Sequence, residues 1–392
     1  MARNLSSLFL LRDDVTFLNH GSFGACPAPV FATYQAIQRE IEDEPVAFLA
    51  RELTERMHAP RIALAAELGT APDNIAGGMS NVTFGLNTVA RSLDLREGDE
   101  VLTSDHEYGA LEKTWAFVAR KTGAKIVQAI VPMPLVSEEA FYDTFVAAMT
   151  PRTRVLYLSH ITSPTALYFP IERLVAEAKR RGILTIIDGA HAPGHIPLNL
   201  DALDADFYSG TCHKWLMSPK GAAFLYARPS LQSLIDPLVV SHGWTKDSKE
   251  PGALGLFGNS AFIDENEFMG TRDSSAWLAL PKLLEFRREH DWKNVMADCS
   301  DLAWETAQRV AKLTGLPSLA SRAHTGPQMV AMPVPAVENP PAFQQRLMDI
   351  YGIEIPVLNW GPHSIVRVSI QGYNTAGQAD LLVRAIKEQF AL

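Results

Sequence analysis

The chain has 392 residues, of which 47% are hydrophobic and 20% are charged, a composition typical of a globular protein and not of a disordered or fibrous one. At this length we expect two domains, or one large domain with a smaller one attached. The formal net charge of −9 argues against a nucleic-acid partner, because phosphate binding depends on clustered Lys and Arg.

Residues 1–20 are predicted to form an N-terminal arm. Their longest apolar run is residues 8–11, which is too short for a signal peptide or a membrane span. The segment "VTFLNHGSFG", residues 15–24, is typical of a strand that runs into a Gly-rich loop. Apolar residues at helical spacing from Val30 to Ile41 then predict a helix.

Residues 21–270 are predicted to form the large domain. Between about residues 74 and 228, short apolar runs alternate with amphipathic helices, and the runs are "DEVLTSD", "AKIVQAIV", "TRVLYLSHI", "GILTIIDGAH", "ADFYSG" and "AAFLYA". This alternation predicts an α/β fold with a mostly parallel sheet that is covered by helices on both faces. The Gly-rich segment 242–262 predicts a long functional loop before the domain boundary.

Residues 271–392 are predicted to form a smaller α+β domain, because the pattern changes there to long helices. The first two are "SSAWLALPKLLEFRREH" and "VMADCSDLAWETAQRVAKLTG". They are followed by a strand "QMVAMPV", a helix, a strand "SIVRVSI" and a final helix.

The three cysteines, Cys26, Cys212 and Cys299, are widely separated and odd in number. They therefore predict neither a disulfide framework nor a CxxC metal site. We expect a cytoplasmic protein that acts on a small molecule and has no membrane partner.

Two residues that follow neighbouring strands carry the chemical hypothesis. In open α/β sheets the ligand binds beyond the carboxyl ends of the strands, and Asp188 and Lys214 both occupy such positions. Taken singly, an aspartate can form a turn and a lysine can be a solvated surface residue. Together they suit pyridoxal phosphate, whose aldehyde forms a Schiff base with a lysine and whose pyridine nitrogen is held protonated by a carboxylate.

A phosphate site is predicted in "GGMSNVTFGLN", residues 77–87. Gly77 and Gly78 follow a short strand, and Ser80, Asn81 and Thr83 open a helix whose free N–H groups can bind an anion. Ser and Asn are also the usual N-caps of helices, so this segment is not specific by itself.

These segments, in this order, resemble the class V aminotransferase family of fold-type I pyridoxal phosphate enzymes over nearly the whole chain. The matching motifs are "NVTFGLN", "HEYGAL", "DGAH", "SGTCHKWLMSPKG", "GTRDSSAWLAL" and "VRVSIQGYNT". Within the family, "FLNHGSFG", "HEYGAL", "SPTALYFP" and "CHKWL" are most similar to the isopenicillin N epimerase-like branch. The resemblance implies a large domain with a seven-stranded sheet and a smaller C-terminal domain.

The resemblance also implies a role for each matching position. Lys214 would carry the Schiff base, Asp188 would contact the pyridinium, and His191 would lie near the phenolic oxygen of the ring. Tyr108 would stack on the ring, where related cysteine desulfurases place a histidine, although packing into the core is its alternative. The other implied cofactor-binding positions within the same chain are Asn81, Val82, Thr83, Ser163, Thr211 and His213.

Further positions concern the partner subunit and the substrate. Gly270 and Thr271, at the start of a predicted helix, match residues that reach the phosphate of a neighbouring subunit, which implies a homodimer with composite sites. Arg367 matches the arginine that pairs with the substrate carboxylate; Asp349 or Glu354 is the alternative partner for its charge. The remaining implied substrate-binding residues are Asn19, His20 and Gly21.

The expected activity is that of an epimerase or racemase at the α-carbon of an amino acid, with a C–S or other β-lyase or an aminotransferase as alternatives. Cys299 lies in a predicted helix and not on the mobile loop of the desulfurases, so persulfide chemistry is not expected. His191, His195 and Asp188 leave a metal-dependent hydrolase open, although Pro193 and Gly194 disrupt the helix that a histidine pair needs. A non-catalytic regulator is a third alternative, disfavoured because such regulators carry an added DNA-binding domain.

Overall fold

The computed structural model describes residues 4–245 and 253–392, so the middle of the predicted loop 242–262 lies outside the described residues. The helices are α1 His20–Phe23, α2 Ala28–Asp43, α3 Leu53–Arg56, α4 His58–Leu68, α5 Val82–Ser92, α6 Gly109–Thr122, α7 Glu138–Ala148, α8 Glu172–Arg180, α9 Leu200–Leu203, α10 Ala261–Glu267, α11 Ser275–Leu278, α12 Leu280–Glu289, α13 Trp292–Thr314, α14 Pro340–Tyr351 and α15 Ala376–Phe390. The strands are β1 Thr16–Phe17, β2 Ile75–Met79, β3 Glu100–Ser104, β4 Lys125–Ala129, β5 Thr153–Ser159, β6 Leu184–Gly189, β7 Phe207–Thr211, β8 Ala223–Ala227, β9 Met329–Val334, β10 Ile353–Glu354, β11 Val357–Trp360 and β12 His363–Ser369.

A seven-stranded sheet in the order β2-β8-β7-β6-β5-β3-β4 forms the centre of the fold. Neighbouring strands from β7 to β4 are parallel, whereas β8 runs antiparallel to both β7 and β2. Strands β7 and β8 are buried along their whole length, and the burial of β8 explains its continuous apolar sequence. The predicted α/β fold with a mostly parallel seven-stranded sheet is confirmed.

The register of the central strands brings their carboxyl ends to one edge of the sheet. Ser159 at the end of β5 lies opposite Asp188 near the end of β6, and Asp188 lies opposite Ser209 in β7. Helices α5 and α6 begin shortly after β2 and β3, so their amino ends face the same edge. This edge therefore combines polar side chains with free helical N–H groups.

The C-terminal part contains a three-stranded antiparallel sheet in the order β11-β12-β9. Helix α13 packs on β9 and against α15. Strand β1 of the N-terminal arm pairs in parallel with β10, where Thr16 lies opposite Ile353. The arm is thus joined to the C-terminal part of the chain.

Four local predictions differ from the structure. The predicted helix "SSAWLALPKLLEFRREH" is divided into α11 and α12 at Ala279, because Pro281 cannot donate the next helical hydrogen bond and its ring crowds the preceding turn. Gly270 and Thr271 do not start a helix, since α11 begins only at Ser275.

Gly77 and Gly78 lie inside β2, where the pairing with β8 shifts register. Gly78 has a φ of 67°, as at a β-bulge. The predicted Gly-rich loop after β1 contains the short helix α1.

Among the described residues, every helix is too short or too polar to cross a membrane.

Candidate active site

A cavity of about 350 Å³ opens at the carboxyl edge of the central sheet. It is lined by side chains that follow β2, β3, β5, β6 and β7, as the strand-end argument predicts. The predicted site residues that line it are Asn81, Val82, Thr83, Tyr108, Ser163, Asp188, His191, Thr211, His213 and Lys214. The fold therefore brings together residues that span more than a third of the sequence.

Lys214 and His191 form a hydrogen-bonded pair in this cavity. The Nζ atom of Lys214 lies 3.0 Å from Nε2 of His191, and the indole N–H of Trp215 donates to Nδ1 of His191 at 3.3 Å. Burial, followed by the charge of Lys214, lowers the pKa of His191 well below its usual value, so the imidazole is neutral. With Nδ1 accepting from Trp215, the imidazole proton belongs on Nε2 and is donated to the amine of Lys214.

A neutral amine at Lys214 is the state that this hydrogen bond requires. Burial, aided by the charge of Arg367 and opposed by Asp188, lowers the pKa of Lys214 from its ordinary value of 10.5 to about 7. An uncharged amine is a nucleophile and a base, whereas an ammonium group is neither. Lys214 can therefore act in both ways near neutral pH.

Asp188 is 2% exposed and faces the cavity from the floor of the sheet. One oxygen, Oδ1, accepts the backbone N–H of Ala190 at 2.8 Å, and Oδ2 accepts the Tyr157 hydroxyl at a longer 3.3 Å. Burial raises the pKa of Asp188, while the Ala190 hydrogen bond and the charge of Lys214 oppose the rise. A protonated ring nitrogen bound in the cavity would compensate this poorly solvated carboxylate.

An anion-binding corner lies between helix α5 and the loop after β7. Asn81 caps α5 by accepting the N–H of Phe84 at 2.9 Å, and the N–H groups of Val82 and Thr83 belong to the first helical turn, which has no intrahelical acceptor. Across the corner, Nδ1 of His213 is buried without a hydrogen-bond partner among the described residues. The free N–H groups of the first turn of α5 fit a phosphate group.

Arg367 lies directly behind the cavity wall and is 5% exposed. Its guanidinium donates to the carbonyl and hydroxyl oxygens of Ser163 and to the Ser22 hydroxyl at 3.1 Å, and its Nε has no partner among the described residues. Burial lowers its pKa to about 10. Because Ser22 and Ser163 both line the cavity, the positive charge is directed toward its contents.

The alternative carboxylate partners of Arg367 are occupied elsewhere. Asp349 accepts from Gln345 at 2.8 Å, and Glu354 accepts from the Asn19 amide at 3.1 Å. No described carboxylate forms an ion pair with Arg367, so the alternative of a structural salt bridge to either residue is wrong.

Asn19, His20 and Gly21 support the lysine loop from behind and do not line the cavity in the described structure. Nε2 of His20 lies 3.0 Å from the carbonyl oxygen of Lys214, and its Nδ1 lies 2.9 Å from the Tyr373 hydroxyl. A Cβ atom added to Gly21 would lie 2.7 Å from the sulfur of Met329. The three residues thus pack the N-terminal arm closely against the site.

Gly270 and Thr271 are not brought to the Lys214 cavity of their own chain. They line a separate cavity of about 310 Å³ together with Leu49, Phe257 and Arg272.

Tyr108, for which core packing was the alternative, is 46% exposed and lines the Lys214 cavity. Core packing of Tyr108 is therefore wrong.

Some cavity-lining residues were not singled out from the sequence. They are Ser22, Phe23, Ser159, Lys220 and Gly221. Ser159 ends an apolar strand and could have been found by the same argument as Asp188. Ser22 and Lys220 lie within motifs quoted above, but nothing in their spacing distinguishes them from loop residues.

His195 is packed as a structural histidine. Its Nε2 accepts the backbone N–H of Gln328 at 2.8 Å, its Nδ1 lies 2.9 Å from the His191 carbonyl oxygen, and its ring stacks on Trp215 at 3.9 Å. Both nitrogens are therefore occupied. Within residues 4–245 and 253–392, no group of three His, Cys, Asp or Glu residues is arranged to hold a metal ion.

Comparison with known proteins gives relatives along almost the whole chain. A family model described as Aminotransferase class-V matches residues 34–382. An isopenicillin N epimerase from Amycolatopsis lactamdurans is 36% identical to this chain, and the match covers 95% of each chain. An isopenicillin N epimerase from Streptomyces clavuligerus is 33% identical, and the match covers 96% of this chain and 95% of that protein. A hercynylcysteine sulfoxide lyase from Schizosaccharomyces pombe is 26% identical over 78% of this chain and 77% of its own.

The fold also matches solved structures. A cysteine desulfurase from Escherichia coli superposes with a TM-score of 0.80 and 24% identity, covering 98% of this chain and 97% of that one. At this identity the likeness concerns the fold.

Proposed function

The chain belongs to the class V aminotransferase family, whose members use pyridoxal phosphate, and from this premise we propose that it is an epimerase that inverts the α-carbon of an amino acid. The observation that carries the proposal is the contact of the Lys214 amine with Nε2 of His191 at 3.0 Å, in the same cavity as Asp188 and with a pKa lowered to about 7. The similarity to isopenicillin N epimerases over almost the full length supports inversion over the other reactions of the family.

The residues around the cavity fit this cofactor. When bound, pyridoxal phosphate supplies an aldehyde that bonds a primary amine and a protonated ring that withdraws electrons from the α-carbon. Lys214 would provide the amine, Asp188 would accept the hydrogen bond of the ring nitrogen, and Tyr108 would cover one face of the ring. The phosphate would be held by the N–H groups of Val82 and Thr83, by Thr211 and by the unpartnered Nδ1 of His213.

Proton transfer at the α-carbon is assigned to Lys214. Its pKa of about 7 is near the value that a general base needs at neutral pH. The Nε2–H group of His191 donates to the amine and keeps it at the cavity wall. His191 is therefore proposed to orient the lysine and then to contact the phenolic oxygen of the bound ring.

Substrate orientation is assigned to Arg367. The guanidinium presents parallel N–H donors that suit a carboxylate, and in the described structure these donors contact only neutral oxygen atoms. A substrate α-carboxylate would neutralise a buried charge that no described side chain neutralises. Binding there would hold the α-carbon close to Lys214.

A β-lyase is the second candidate, because a sulfoxide lyase is among the relatives. A persulfide mechanism of the desulfurase type is not supported. Cys299 lies in α13, is 2% exposed, and has a pKa that burial raises to about 12. No cysteine is among the described residues that line the cavity.

The test is incubation of the cofactor-loaded protein with a panel of L-amino acids in D₂O. Inversion gives the D-enantiomer with deuterium at the α-carbon, elimination gives a keto acid and a released leaving group, and transamination gives a keto acid and an aminated cofactor. Chiral chromatography with mass spectrometry separates these products, and the Lys214→Ala variant is the control. Elimination or transamination without any D-enantiomer would refute the epimerase assignment.

We also propose a homodimer. Gly270 and Thr271 line a cavity of their own chain that is separate from the Lys214 cavity, so a contribution to the phosphate site requires a second subunit. Leu254 and Leu256, which precede helix α10, have exposed apolar side chains. Sedimentation of the loaded protein tests this, and a monomer that retains the cofactor tightly would contradict it.

We propose the cytoplasm as the compartment, because all three cysteines are free, as is usual in a reducing environment. Fractionation of the native host, with detection of the protein in the cytosolic fraction, tests this assignment.

A further inference from the structure

Inversion of a carbon centre removes a proton from one side and delivers a proton to the other side. Lys214 accounts for one side only. We propose that Tyr108 is the second acid–base residue of the epimerase reaction and delivers its hydroxyl proton from the side of the cavity opposite Lys214. This inference rests on the proposed function.

The sheet topology places the two residues on opposite flanks of the cavity. Lys214 follows β7 and Tyr108 follows β3, with β6 and β5 between these strands. Asp188 and Ser159, at the ends of those two middle strands, form the floor between them. Three strand spacings separate β7 from β3, which amounts to about 14 Å, so a planar group above Asp188 has one residue on each side.

The backbone around Tyr108 is fixed by hydrogen bonds. Its carbonyl oxygen accepts the N–H groups of Leu111 and Glu112 at 2.8 and 3.1 Å, as helix α6 begins. The preceding Glu107 is buried and accepts the hydroxyls of Ser104 and Ser159, each at 2.6 Å. Tyr108 is therefore anchored on both sides.

The Tyr108 side chain itself is available for chemistry. It is 46% exposed and lines the cavity, and no described residue forms a hydrogen bond with its hydroxyl. The Tyr108 hydroxyl can therefore contact a ligand without breaking an existing hydrogen bond.

The other protic side chains of the cavity are engaged or lie elsewhere. The Ser22 hydroxyl donates to the side-chain oxygen of Asn19. The Thr211 hydroxyl donates to the Ala190 carbonyl at 2.9 Å. The Lys220 amine donates to the Gly24 carbonyl at 3.0 Å. Ser159 donates to Glu107, and Ser163 accepts from Arg367. His213 is adjacent to Lys214 on the same flank, and Ser80 and Thr83 belong to the anion corner. Among the described residues, Tyr108 is the protic group that remains on the opposite flank.

The proton balance closes without a further reactant. In the L-to-D direction, Nζ of Lys214 takes the α-proton and the Tyr108 hydroxyl gives its proton to the other side of the same carbon. The protein is left with an ammonium group at Lys214 and a phenolate at Tyr108. Solvent restores both, since Tyr108 is exposed to water, and in the D-to-L direction the two residues exchange roles.

The test compares Tyr108→Phe with the parent, and Tyr142→Phe, which removes a hydroxyl on helix α7 outside the cavity, is the matched control. In D₂O the Tyr108→Phe variant should still place deuterium in the L-enantiomer, because Lys214 remains. Formation of the D-enantiomer should fall by about 10²-fold or more, the scale of one general acid–base group. Cofactor affinity, measured by titration of the apo protein, should stay within about threefold of the parent because the aromatic ring is retained.

A second variant, Tyr108→His, provides a readout that a structural role would not change. Its inversion should be partly retained, and the pH profile should move to lower pH because an imidazole titrates at lower pH than a phenol. Inversion by Tyr108→Phe within threefold of the parent would overturn the inference while leaving the epimerase assignment intact. A parent that makes no D-enantiomer would overturn both.

Discussion

The Nζ atom of Lys214 lies 3.0 Å from Nε2 of His191, and the bond from Trp215 to the other ring nitrogen sets its direction. This pair supports the proposal that Lys214 is the reactive amine, although a second lysine, Lys220, lines the same cavity.

Borohydride reduction of the loaded protein should attach the cofactor to Lys214 only. Lys214→Ala should fold normally and form no adduct, because the amine paired with His191 is gone, whereas Lys220→Ala should be labelled like the parent. Peptide mass spectrometry after reduction locates the adduct. A stable adduct on Lys220 in the parent would contradict the assignment.

The stability of the apo protein should depend on pH through Lys214. The folded-state pKa is about 7, below the ordinary 10.5, so between these values the unfolded chain binds more protons and stability rises with pH. The denaturant midpoint of Lys214→Met should therefore be higher than that of the parent. The difference should be largest at pH 7 and below and should shrink toward pH 10.5. Lys293→Met, at an exposed position of helix α13, is the control, and a difference that is constant over this range would refute the shifted pKa.

Asp188→Asn should reduce turnover by about 10²-fold or more, the scale on which one preorganised electrostatic contact acts. The apo protein should be at least as stable as the parent, because a poorly compensated buried charge is removed. Asp206→Asn is the matched control. Asp206 is as buried as Asp188, but it accepts hydrogen bonds from Thr185 far from the cavity. The Asp206→Asn variant should lose stability and keep its turnover. Turnover of Asp188→Asn within a few-fold of the parent would make Asp188 a structural residue.

Arg367→Lys should weaken substrate binding by about 1.5–3 kcal/mol, the value of hydrogen bonds to a charged group, because an ammonium cannot present two parallel donors. Cofactor affinity and the thermal midpoint should change little. Arg322→Lys, which alters an exposed ion pair with Asp301, is the control for the change of side chain. Normal amino-acid binding with an early thermal transition would show that Arg367 serves the fold.

Much of the central sheet could be predicted from the sequence, because buried parallel strands are continuous apolar runs and their ends share one edge. That argument placed Asp188 and Lys214 in one cavity and would have placed Ser159 there as well. Periodicity was equally informative for helix α13, so the helical position of Cys299 was predicted.

Other features depend on contacts between distant segments and leave no local signal. The serine partners of Arg367 come from residues 204 and 345 positions away, and nothing near Arg367 in sequence specifies them. The bulge at Gly78 arises from the pairing of β2 with β8, and the exposure of Tyr108 depends on which elements leave the cavity open. The resemblance to a known family supplied residue roles that periodicity alone could not.

The parallel pairing of β1 with β10 has a consequence for biosynthesis. Thr16 meets Ile353, and His20 joins the Lys214 carbonyl to Tyr373, so the lysine loop is buttressed by both ends of the chain. A nascent polypeptide on the ribosome can form its central sheet early, but it lacks this buttress until residue 373 has been translated and has left the exit tunnel. Chains that terminate early should therefore be released with an unsupported lysine loop, which favours their recognition by proteases before they accumulate cofactor.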